Sequence, residues 1–129
     1  KDEVDLRELR KKFPLALPKC NSNKRIDFYI WDEAPLIKDK EGILAPDNSN
    51  LLHSNQISHI FVPCISVDKN LSRLGYGGGY YDKLRSSKNW RLIPCIGILT
   101  HQCLSEDILT KDGWDIPLSG YITNNKIRI

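Results

Sequence analysis

The chain has 129 residues and a formal net charge of +3, with 40% hydrophobic and 27% charged residues. These proportions are typical of one globular domain with a sizeable core, and no stretch is disordered by composition. The longest apolar run, residues 92–99, is far shorter than the ~20 residues of a membrane helix, and so mild a charge does not predict nucleic-acid binding.

The first half of the chain is predicted to hold a helix, two strands and a loop-rich segment. In chain order these are a helix over residues 4–13, strands over 14–20 and 26–31, and loops over 32–55 with a short helix near 51–56. Leu6, Leu9 and Phe13 recur at the spacing of one helical face. The two strands are separated by Asn21-Ser22-Asn23-Lys24, a run of turn-forming residues that predicts a hairpin.

The second half alternates strands with helices. Its predicted elements are a strand over residues 57–64, a glycine-rich loop, a helix over 80–87, a strand over 92–99, a helical turn over 105–109 and a terminal strand or hairpin over 120–129. Continuous apolar strands alternating with helices favour an α/β fold. The prediction is a mostly parallel sheet with helices on both faces, a three-layer, Rossmann-like single domain. Ligands bind beyond the carboxyl ends of such strands, so the glycine-rich loop and His101-Gln102 are expected to open onto one crevice.

The most distinctive segment is Arg73-Leu74-Gly75-Tyr76-Gly77-Gly78-Gly79-Tyr80-Tyr81-Asp82, in which four of ten residues are glycine. Glycine lets backbone N–H groups approach one anion closely, and a helix beginning near Tyr80 would add its positive end. Arg73 offers a forked donor for phosphate oxygens. Asp82 suits Mg²⁺, which proteins often hold with one or two carboxylates plus phosphate oxygens. The segment predicts a nucleotide-phosphate cradle with its own magnesium ligand.

Two other interpretations compete for these glycines: a tight structural connection, and a flexible RNA-binding tract. The pattern occurs once and is flanked by apolar strands rather than repeats, which disfavours the tract. The spacing matches neither G-x-x-x-x-G-K-[ST] nor G-x-G-x-x-G in its strand–helix context, so no general phosphate motif names it.

The same ten residues closely resemble the signature loop of the 5-formyltetrahydrofolate cyclo-ligase family. Further resemblances follow in the family's order from residue 3 to about residue 123: Glu3-Val4-Asp5, Ile60-Phe61-Val62-Pro63-Cys64-Ile65-Ser66-Val67-Asp68, Ile96-Gly97-Ile98-Leu99-Thr100-His101-Gln102, Trp114-Asp115-Ile116-Pro117-Leu118 and Ile122-Thr123.

The chain departs from the family pattern at three points. Trp114 stands where the family usually has histidine, and Ala45 stands where a "G-I-x-E-P" turn has glutamate. The chain starts at Lys1, contains no methionine, and shows no counterpart of the helix and strand that precede the Glu3 region in family members. The resemblance therefore implies one cyclo-ligase-like α/β domain over residues 1–129, N-terminally truncated relative to the family.

The resemblance implies a ligase of one-carbon metabolism that converts 5-formyltetrahydrofolate to 5,10-methenyltetrahydrofolate with ATP and Mg²⁺, releasing ADP and phosphate. The formyl oxygen attacks the γ-phosphate, N10 closes the ring and phosphate leaves. Phosphoryl transfer depends on positioning and charge neutralisation more than on a protein nucleophile.

The resemblance also implies a set of site residues, some with more than one role. Arg73 and Tyr80 are implied as catalytic; Arg73, Leu74, Gly75, Tyr76, Gly77, Gly78, Gly79, Tyr80 and Tyr81 as ATP-binding; Glu3, Tyr76, Gly77, Gly78, Gly79 and Tyr80 as folate-binding; and Asp82 and Asp115 as magnesium ligands. The rings of Tyr76 and Tyr80 would stack on pterin or adenine.

Two further functions stay open. A truncated or degenerate homologue would bind nucleotide or folate without turnover. A single-strand RNA-binding module would stack bases on Tyr76, Tyr80 and Tyr81 beside Arg73, with no need of the aspartates.

The cysteines bear on metal sites and location. Cys20, Cys64, Cys95 and Cys103 form no C-x-x-C pair, so zinc and disulfides are not expected, and buried reduced thiols fit a cytoplasmic protein. The expected partner is the small-molecule folate substrate, with no nucleic acid or membrane, and the expected state is a monomer.

Overall fold

The computed structural model describes residues 7–47, 50–75, 79–109 and 116–129. The strands in these ranges are β1 Ala16–Cys20, β2 Ile26–Ile30, β3 Ile37–Lys38, β4 Leu44–Ala45, β5 Leu51–Leu52, β6 Ile60–Pro63, β7 Ser66–Val67, β8 Arg73–Leu74, β9 Cys95–Ile98, β10 Gly120–Ile122 and β11 Ile127–Arg128. The α-helices described are α1 Tyr80–Ser86 and α2 Lys88–Arg91, and short 3-10 turns lie at Leu9–Lys11, Ser22–Lys24, Ser54–Gln56 and His101–Cys103.

A mixed sheet in the order β11-β10-β9-β6 carries the parallel part of the fold. Strand β9 pairs in parallel with β6 on one side and with β10 on the other, whereas β10 and β11 are antiparallel. The chain from β6 to β9 passes through β7, β8, α1 and α2, a connection long enough to return the second strand in the same direction. The strands within residues 57–64 and 92–99 are therefore parallel neighbours.

A second sheet, in the order β1-β2-β5, is antiparallel throughout. The predicted hairpin is confirmed: β1 and β2 pair from Ala16↔Ile30 to Cys20↔Ile26, and Asn23 and Lys24 turn the chain with φ of 60° each. So short a connection can only join antiparallel strands. The hairpins β3–β4 and β7–β8 are antiparallel for the same reason. The fold is α/β, but a mostly parallel, three-layer arrangement is not confirmed, because parallel pairing in the described ranges is confined to β6, β9 and β10 and to one isolated bridge between Val67 and Leu104.

Two clusters of buried side chains form the core, one for each larger sheet. The mixed-sheet cluster consists of Ile60, Val62, Cys64, Val67, Ile93, Cys95, Leu99, Leu118 and Tyr121. The antiparallel-sheet cluster consists of Cys20, Ile26, Phe28 and Tyr80. Tyr81 and Leu84 of α1 pack against both clusters, as do Ile57 and Trp90. Helix α1 is therefore held between the two sheets.

Three predicted helical segments differ from the structure. Of residues 4–13, the described part contains a single 3-10 turn at Leu9–Lys11, and Phe13 is 57% exposed. Residues 51–56 divide into β5 and a 3-10 turn. Residues 105–109 do not form the predicted turn of helix, because their backbone donors bond elsewhere: the Ser105 N–H donates to Val67 O and the Leu109 N–H to Asp68 Oδ2.

The cysteines are free thiols: Cys20, Cys64 and Cys95 are buried and Cys103 is partly buried. Burial raises the pKa of the Cys64 thiol to about 11, although the Arg73 guanidinium opposes the shift. Across the described ranges, no helix has both the length and the apolar character needed to cross a membrane.

The β3–β4 hairpin is anchored to β1 by Asp39. Its Oδ2 accepts the Cys20 N–H at 2.9 Å, and its Oδ1 accepts the N–H groups of Glu41 at 2.9 Å and Ile43 at 3.1 Å. Burial acts to raise the pKa of Asp39, but these three donors outweigh it and hold the pKa below its ordinary value. Folding favours the charged form of Asp39. The carboxylate therefore stabilises the folded protein above the pKa of the unfolded state, and this stabilisation is lost as pH falls through the folded-state pKa.

Asp39 is therefore expected to titrate in the folded protein with a midpoint below the reference value of about 3.9. Amide chemical shifts of Cys20, Glu41 and Ile43, followed by NMR from about pH 6 to about pH 2, should report this common midpoint. Asp39→Asn should abolish the transition. A midpoint at or above the reference value would contradict the anchoring role.

Candidate active site

The turn between β7 and β8 is organised by a buried carboxylate, Asp68, which is 2% exposed. Its Oδ1 accepts the N–H groups of Asn70 and Ser72 at 2.9 Å each, and its Oδ2 accepts the Leu109 N–H at 2.8 Å. The turn places the next residue, Arg73, at the start of β8. Asp68 belongs to the family resemblance, but no role is predicted for it from the sequence. An aspartate followed by Asn70 and Ser72 is nevertheless a recognisable turn signal.

Arg73 lies across the carboxyl end of β6. Its Nε and Nη2 donate to the Pro63 carbonyl at 3.3 Å and 3.1 Å, and its guanidinium carbon lies 5.3 Å from the centre of the Tyr81 ring. A carbonyl and an aromatic face orient a cation without neutralising its charge. These described contacts use two of the five guanidinium N–H donors, which leaves the side chain able to bind an anion.

Residue 75 is a glycine at a point where a side chain would collide with Arg73. A Cβ at residue 75 would lie 2.5–2.7 Å from the guanidinium atoms of Arg73. Gly79 is required for another reason: it has φ +73°, a left-handed conformation, at the residue that precedes α1. Tyr76, Gly77 and Gly78, the remaining predicted members of the loop, lie outside the described residues.

Gly75→Ala is expected to displace the Arg73 guanidinium from the Pro63 carbonyl, with little loss of stability. The backbone at residue 75 does not need a positive φ, so the methyl group acts through the side chain it contacts. The NMR signal of the Arg73 Nε–H group and the melting temperature should be measured together. Leu92→Ala, at an exposed residue that does not line the cavity, is the control. An unchanged Arg73 signal in Gly75→Ala would contradict the expectation.

A cavity of about 20 Å³ lies where β6, β8, α1 and the segment of residues 116–118 meet. Arg73, Tyr81 and Asp82 all line it, so the structure brings these three predicted site residues together. Asp82 lies in the first turn of α1 and is exposed. The cavity is also lined by Arg85, which sequence reasoning missed. A charged residue near the end of a short helix normally indicates a solvated surface, so no sequence signal distinguished it.

Tyr80 occupies a different environment from its neighbour. It is 8% exposed, belongs to the antiparallel-sheet cluster, and its hydroxyl donates to Glu41 Oε2 at 2.5 Å. That hydrogen bond, followed by burial, raises the pKa of Tyr80. Lys24 lies over the ring, with Nζ 5.4 Å from its centre. The ring is thus packed inside the fold, and stacking of Tyr80 on a ligand stays a prediction.

The remaining predicted residues fall into two groups. Glu3 and Asp115 lie outside the described residues. Leu74 is 49% exposed on β8, and His101 and Gln102 are exposed on a 3-10 turn and do not line the cavity. A crevice shared by His101-Gln102 and the glycine-rich loop is therefore not confirmed.

The model of the 5-formyltetrahydrofolate cyclo-ligase family matches residues 4–123. The chain belongs to this family. Among curated cyclo-ligases, the chain is 35% identical over 89 residues to the 5-formyltetrahydrofolate cyclo-ligase of Haemophilus influenzae, an alignment covering 67% of this chain and 46% of that relative.

Solved cyclo-ligase structures share the fold. The structure of Aquifex aeolicus 5,10-methenyltetrahydrofolate synthetase matches 98% of this chain and 65% of its own with TM-score 0.78 and 31% identity. A 5,10-methenyltetrahydrofolate synthetase from Mycoplasma pneumoniae matches 95% of this chain and 65% of its own with TM-score 0.63 and 31% identity. The chain thus spans about half the length of the Haemophilus cyclo-ligase and about two thirds of each solved one.

The residues present are compatible with nucleotide and magnesium binding in this chain. Gly75 leaves the Arg73 guanidinium uncovered where a Cβ would intrude, and Asp82 presents an exposed carboxylate at the same cavity. Within residues 7–47, 50–75, 79–109 and 116–129, no group of three or more His, Cys, Asp or Glu side chains converges. One described carboxylate suits Mg²⁺ better than zinc, because Mg²⁺ takes most of its ligands from phosphate and water.

Proposed function

We propose that this chain catalyses the ATP- and Mg²⁺-dependent cyclisation of 5-formyltetrahydrofolate to 5,10-methenyltetrahydrofolate, with release of ADP and phosphate. The observation that carries the proposal is the meeting of Arg73 and Asp82 at one cavity, with Gly75 against the Arg73 guanidinium, in a chain of the cyclo-ligase family. A fixed cation, a backbone without side-chain obstruction and an exposed carboxylate are what phosphoryl transfer needs from a protein.

Arg73 offsets negative charge as phosphate is transferred. Its guanidinium is pre-oriented by Pro63 O and the Tyr81 ring, so little reorganisation is needed when charge develops. Pro63 ends β6, the strand paired in parallel with β9. The guanidinium therefore lies at the sheet edge where parallel α/β folds bind ligands. We accordingly assign the nucleotide-binding, Rossmann-like part of the fold to β6, β9, β10 and α1.

Asp82 holds Mg²⁺ together with Asp115, and the backbone of residues 75–79 binds the phosphates. Asp82 follows Tyr81 directly on α1, so the residue that orients Arg73 and the residue that binds the metal share one helical turn. When bound, Mg²⁺ would neutralise phosphate charge. A cytoplasmic location agrees with the free, mostly buried thiols, and the proposed enzyme acts as a monomer.

The test is to mix the chain with 5-formyltetrahydrofolate, ATP and Mg²⁺ and to follow the near-ultraviolet absorbance of the methenyl product. Asp82→Asn should abolish most turnover, whereas Asp107→Asn, an equivalent change at an exposed site away from the cavity, should leave it unchanged. No turnover by the wild type, with ATP still raising the melting temperature, would identify a homologue that binds without reacting. If the wild type shows neither turnover nor a higher melting temperature with ATP, the proposal is overturned.

The geometry gives less support to a single-strand RNA-binding module. Base stacking needs open aromatic faces, but the Tyr80 ring is packed in the core and Arg73 lies over the ring of Tyr81.

A further inference from the structure

Glu41 joins the β3–β4 hairpin to the first residue of α1. Its Oε2 accepts the Tyr80 hydroxyl at 2.5 Å, a length typical of a hydroxyl donating to a charged carboxylate. Tyr80 is 8% exposed, whereas Glu41 is an exposed residue. A buried hydroxyl needs a hydrogen-bond partner, and here a turn 39 residues earlier in the chain provides it. Glu41 has no part in the function proposed above.

The turn that carries Glu41 is held by its own hydrogen bonds. Asp39 Oδ1 accepts the N–H groups of Glu41 and Ile43, and the Gly42 N–H donates to Asp39 O at 2.9 Å. The Asp39 N–H donates to Ile43 O, also at 2.9 Å. Since Asp39 Oδ2 accepts the Cys20 N–H of β1, this turn is tied to the antiparallel sheet. The Glu41 carboxylate is therefore presented to Tyr80 from a fixed backbone.

The start of α1 depends on contacts from outside the helix. Gly79, the residue before it, has no side chain that could cap the helix, and α1 has only seven residues. Three side-chain contacts reach its first turn: the Glu41 bond to Tyr80, Lys24 Nζ at 5.4 Å from the centre of the Tyr80 ring, and Lys83 Nζ donating to a carbonyl of the β1–β2 turn. The lysine side chains are flexible, so the Glu41 bond fixes the position of this turn most firmly.

The same turn of α1 carries residues of the cavity. The Arg73 guanidinium carbon lies 5.3 Å from the centre of the Tyr81 ring, and Asp82 lines the cavity with both residues. Tyr80, Tyr81 and Asp82 are consecutive in the helix. A displacement of Tyr80 would therefore move the ring that orients Arg73.

We propose that Glu41 is a positioning residue that fixes the first turn of α1 through the Tyr80 hydroxyl and so holds Tyr81 against Arg73. The kinetic part of this inference rests on the proposed function. The inference assigns the Tyr80 hydroxyl to Glu41 rather than to a ligand. Removing either partner should then have the same effect on the site, because both changes break one bond.

Glu41→Leu and Tyr80→Phe each remove one partner of the bond, whereas Glu41→Gln keeps an acceptor oxygen. Glu33→Leu, at another exposed glutamate that does not line the cavity, is the matched control. Three measurements are needed: hydrogen exchange at the Lys83 amide, which donates to Gly79 O, the NMR signal of the Arg73 Nε–H group, and kcat and KM for ATP.

Glu41→Leu is expected to speed exchange at the Lys83 amide by about tenfold, as the loss of a hydrogen bond to a charged group predicts. It should also shift the Arg73 signal and lower kcat more than it changes KM for ATP, because an oriented cation acts mainly as charge develops. Tyr80→Phe should match it, and the double variant should show no further loss. Glu41→Gln should recover part of each effect, and Glu33→Leu should match the wild type.

A lower melting temperature with an unchanged Arg73 signal in Glu41→Leu would overturn the positioning role and leave the proposed function intact. A much larger loss of rate in Tyr80→Phe than in Glu41→Leu would also overturn it, because the hydroxyl would then act on a ligand directly. A wild type without turnover would overturn the proposed activity alone, since exchange and the Arg73 signal report position without a reaction. If Glu41→Leu does not fold, Tyr80→Phe decides, because it leaves unpaired only an exposed carboxylate that water can solvate.

Discussion

Arg73→Met is expected to lower kcat/KM for the proposed cyclisation by about 10²- to 10³-fold, while the melting temperature falls only slightly. The arginine makes two hydrogen bonds to one carbonyl and one aromatic contact, so its loss costs the fold about 1 kcal/mol. The loss of transition-state stabilisation is larger than this loss of stability. Water or a flexible side chain would have to reorient as charge develops, whereas the Arg73 guanidinium is already oriented.

Arg73→Lys provides the matched comparison. Lysine keeps the charge but lacks the planar fork that spans Pro63 O and the Tyr81 ring. Its rate should fall between those of the wild type and Arg73→Met. Steady-state kinetics with ATP and 5-formyltetrahydrofolate varied in turn would show where the loss occurs. Rates within about threefold of wild type for Arg73→Met, well short of the expected loss, would mean that Arg73 does not contact the transferred phosphate.

Asp68→Asn is expected to lower the free energy of unfolding by about 3–5 kcal/mol. One Asp68 oxygen accepts two backbone N–H groups and the other accepts a third, from Leu109. An asparagine has one oxygen, and its NH₂ group would face a backbone donor in place of an acceptor. In a site that is 2% exposed, neither water nor a neighbouring group can compensate.

Urea unfolding followed by far-ultraviolet circular dichroism measures this loss, which is a large share of the about 5–15 kcal/mol available to a domain. Asp107→Asn makes the same chemical change at an exposed residue and should change stability by less than about 0.5 kcal/mol. A loss below about 1 kcal/mol for Asp68→Asn would show that the turn before Arg73 is held by other contacts.

Much of the fold could be predicted from local patterns. Residues 57–64 and 92–99 are largely apolar, and they contain the paired strands β6 and β9. The hairpin β1–β2 follows from its turn residues. The pairing of β2 with β5 could not be predicted, because two-residue strands have no period and their partners are distant in sequence. Residues 105–109 were misassigned because Asp68, about forty residues earlier, takes the Leu109 N–H.

Some residues of the candidate site could likewise be named from the sequence, and others could not. Arg73, Gly75 and Asp82 could be named as candidates from their residue types within one short segment, and their roles in binding stay predictions. Tyr80 was harder to place, since adjacent tyrosines on a helix point in different directions and only packing shows which is buried. Arg85 could not be found, because its burial depends on residues 116–118, which approach α1 only in the folded chain.

Helix α1 packs against both clusters, with Tyr80 in the antiparallel-sheet cluster and Tyr81 and Leu84 against both. Loosening either sheet should therefore shift the helix that carries Asp82. In a screen for inactive alleles, changes at Phe28, which lies in the same buried cluster as Tyr80 of α1, should appear beside changes at the cavity itself. Substitutions should be tolerated least at residues that contact α1, whatever their distance from the proposed nucleotide site.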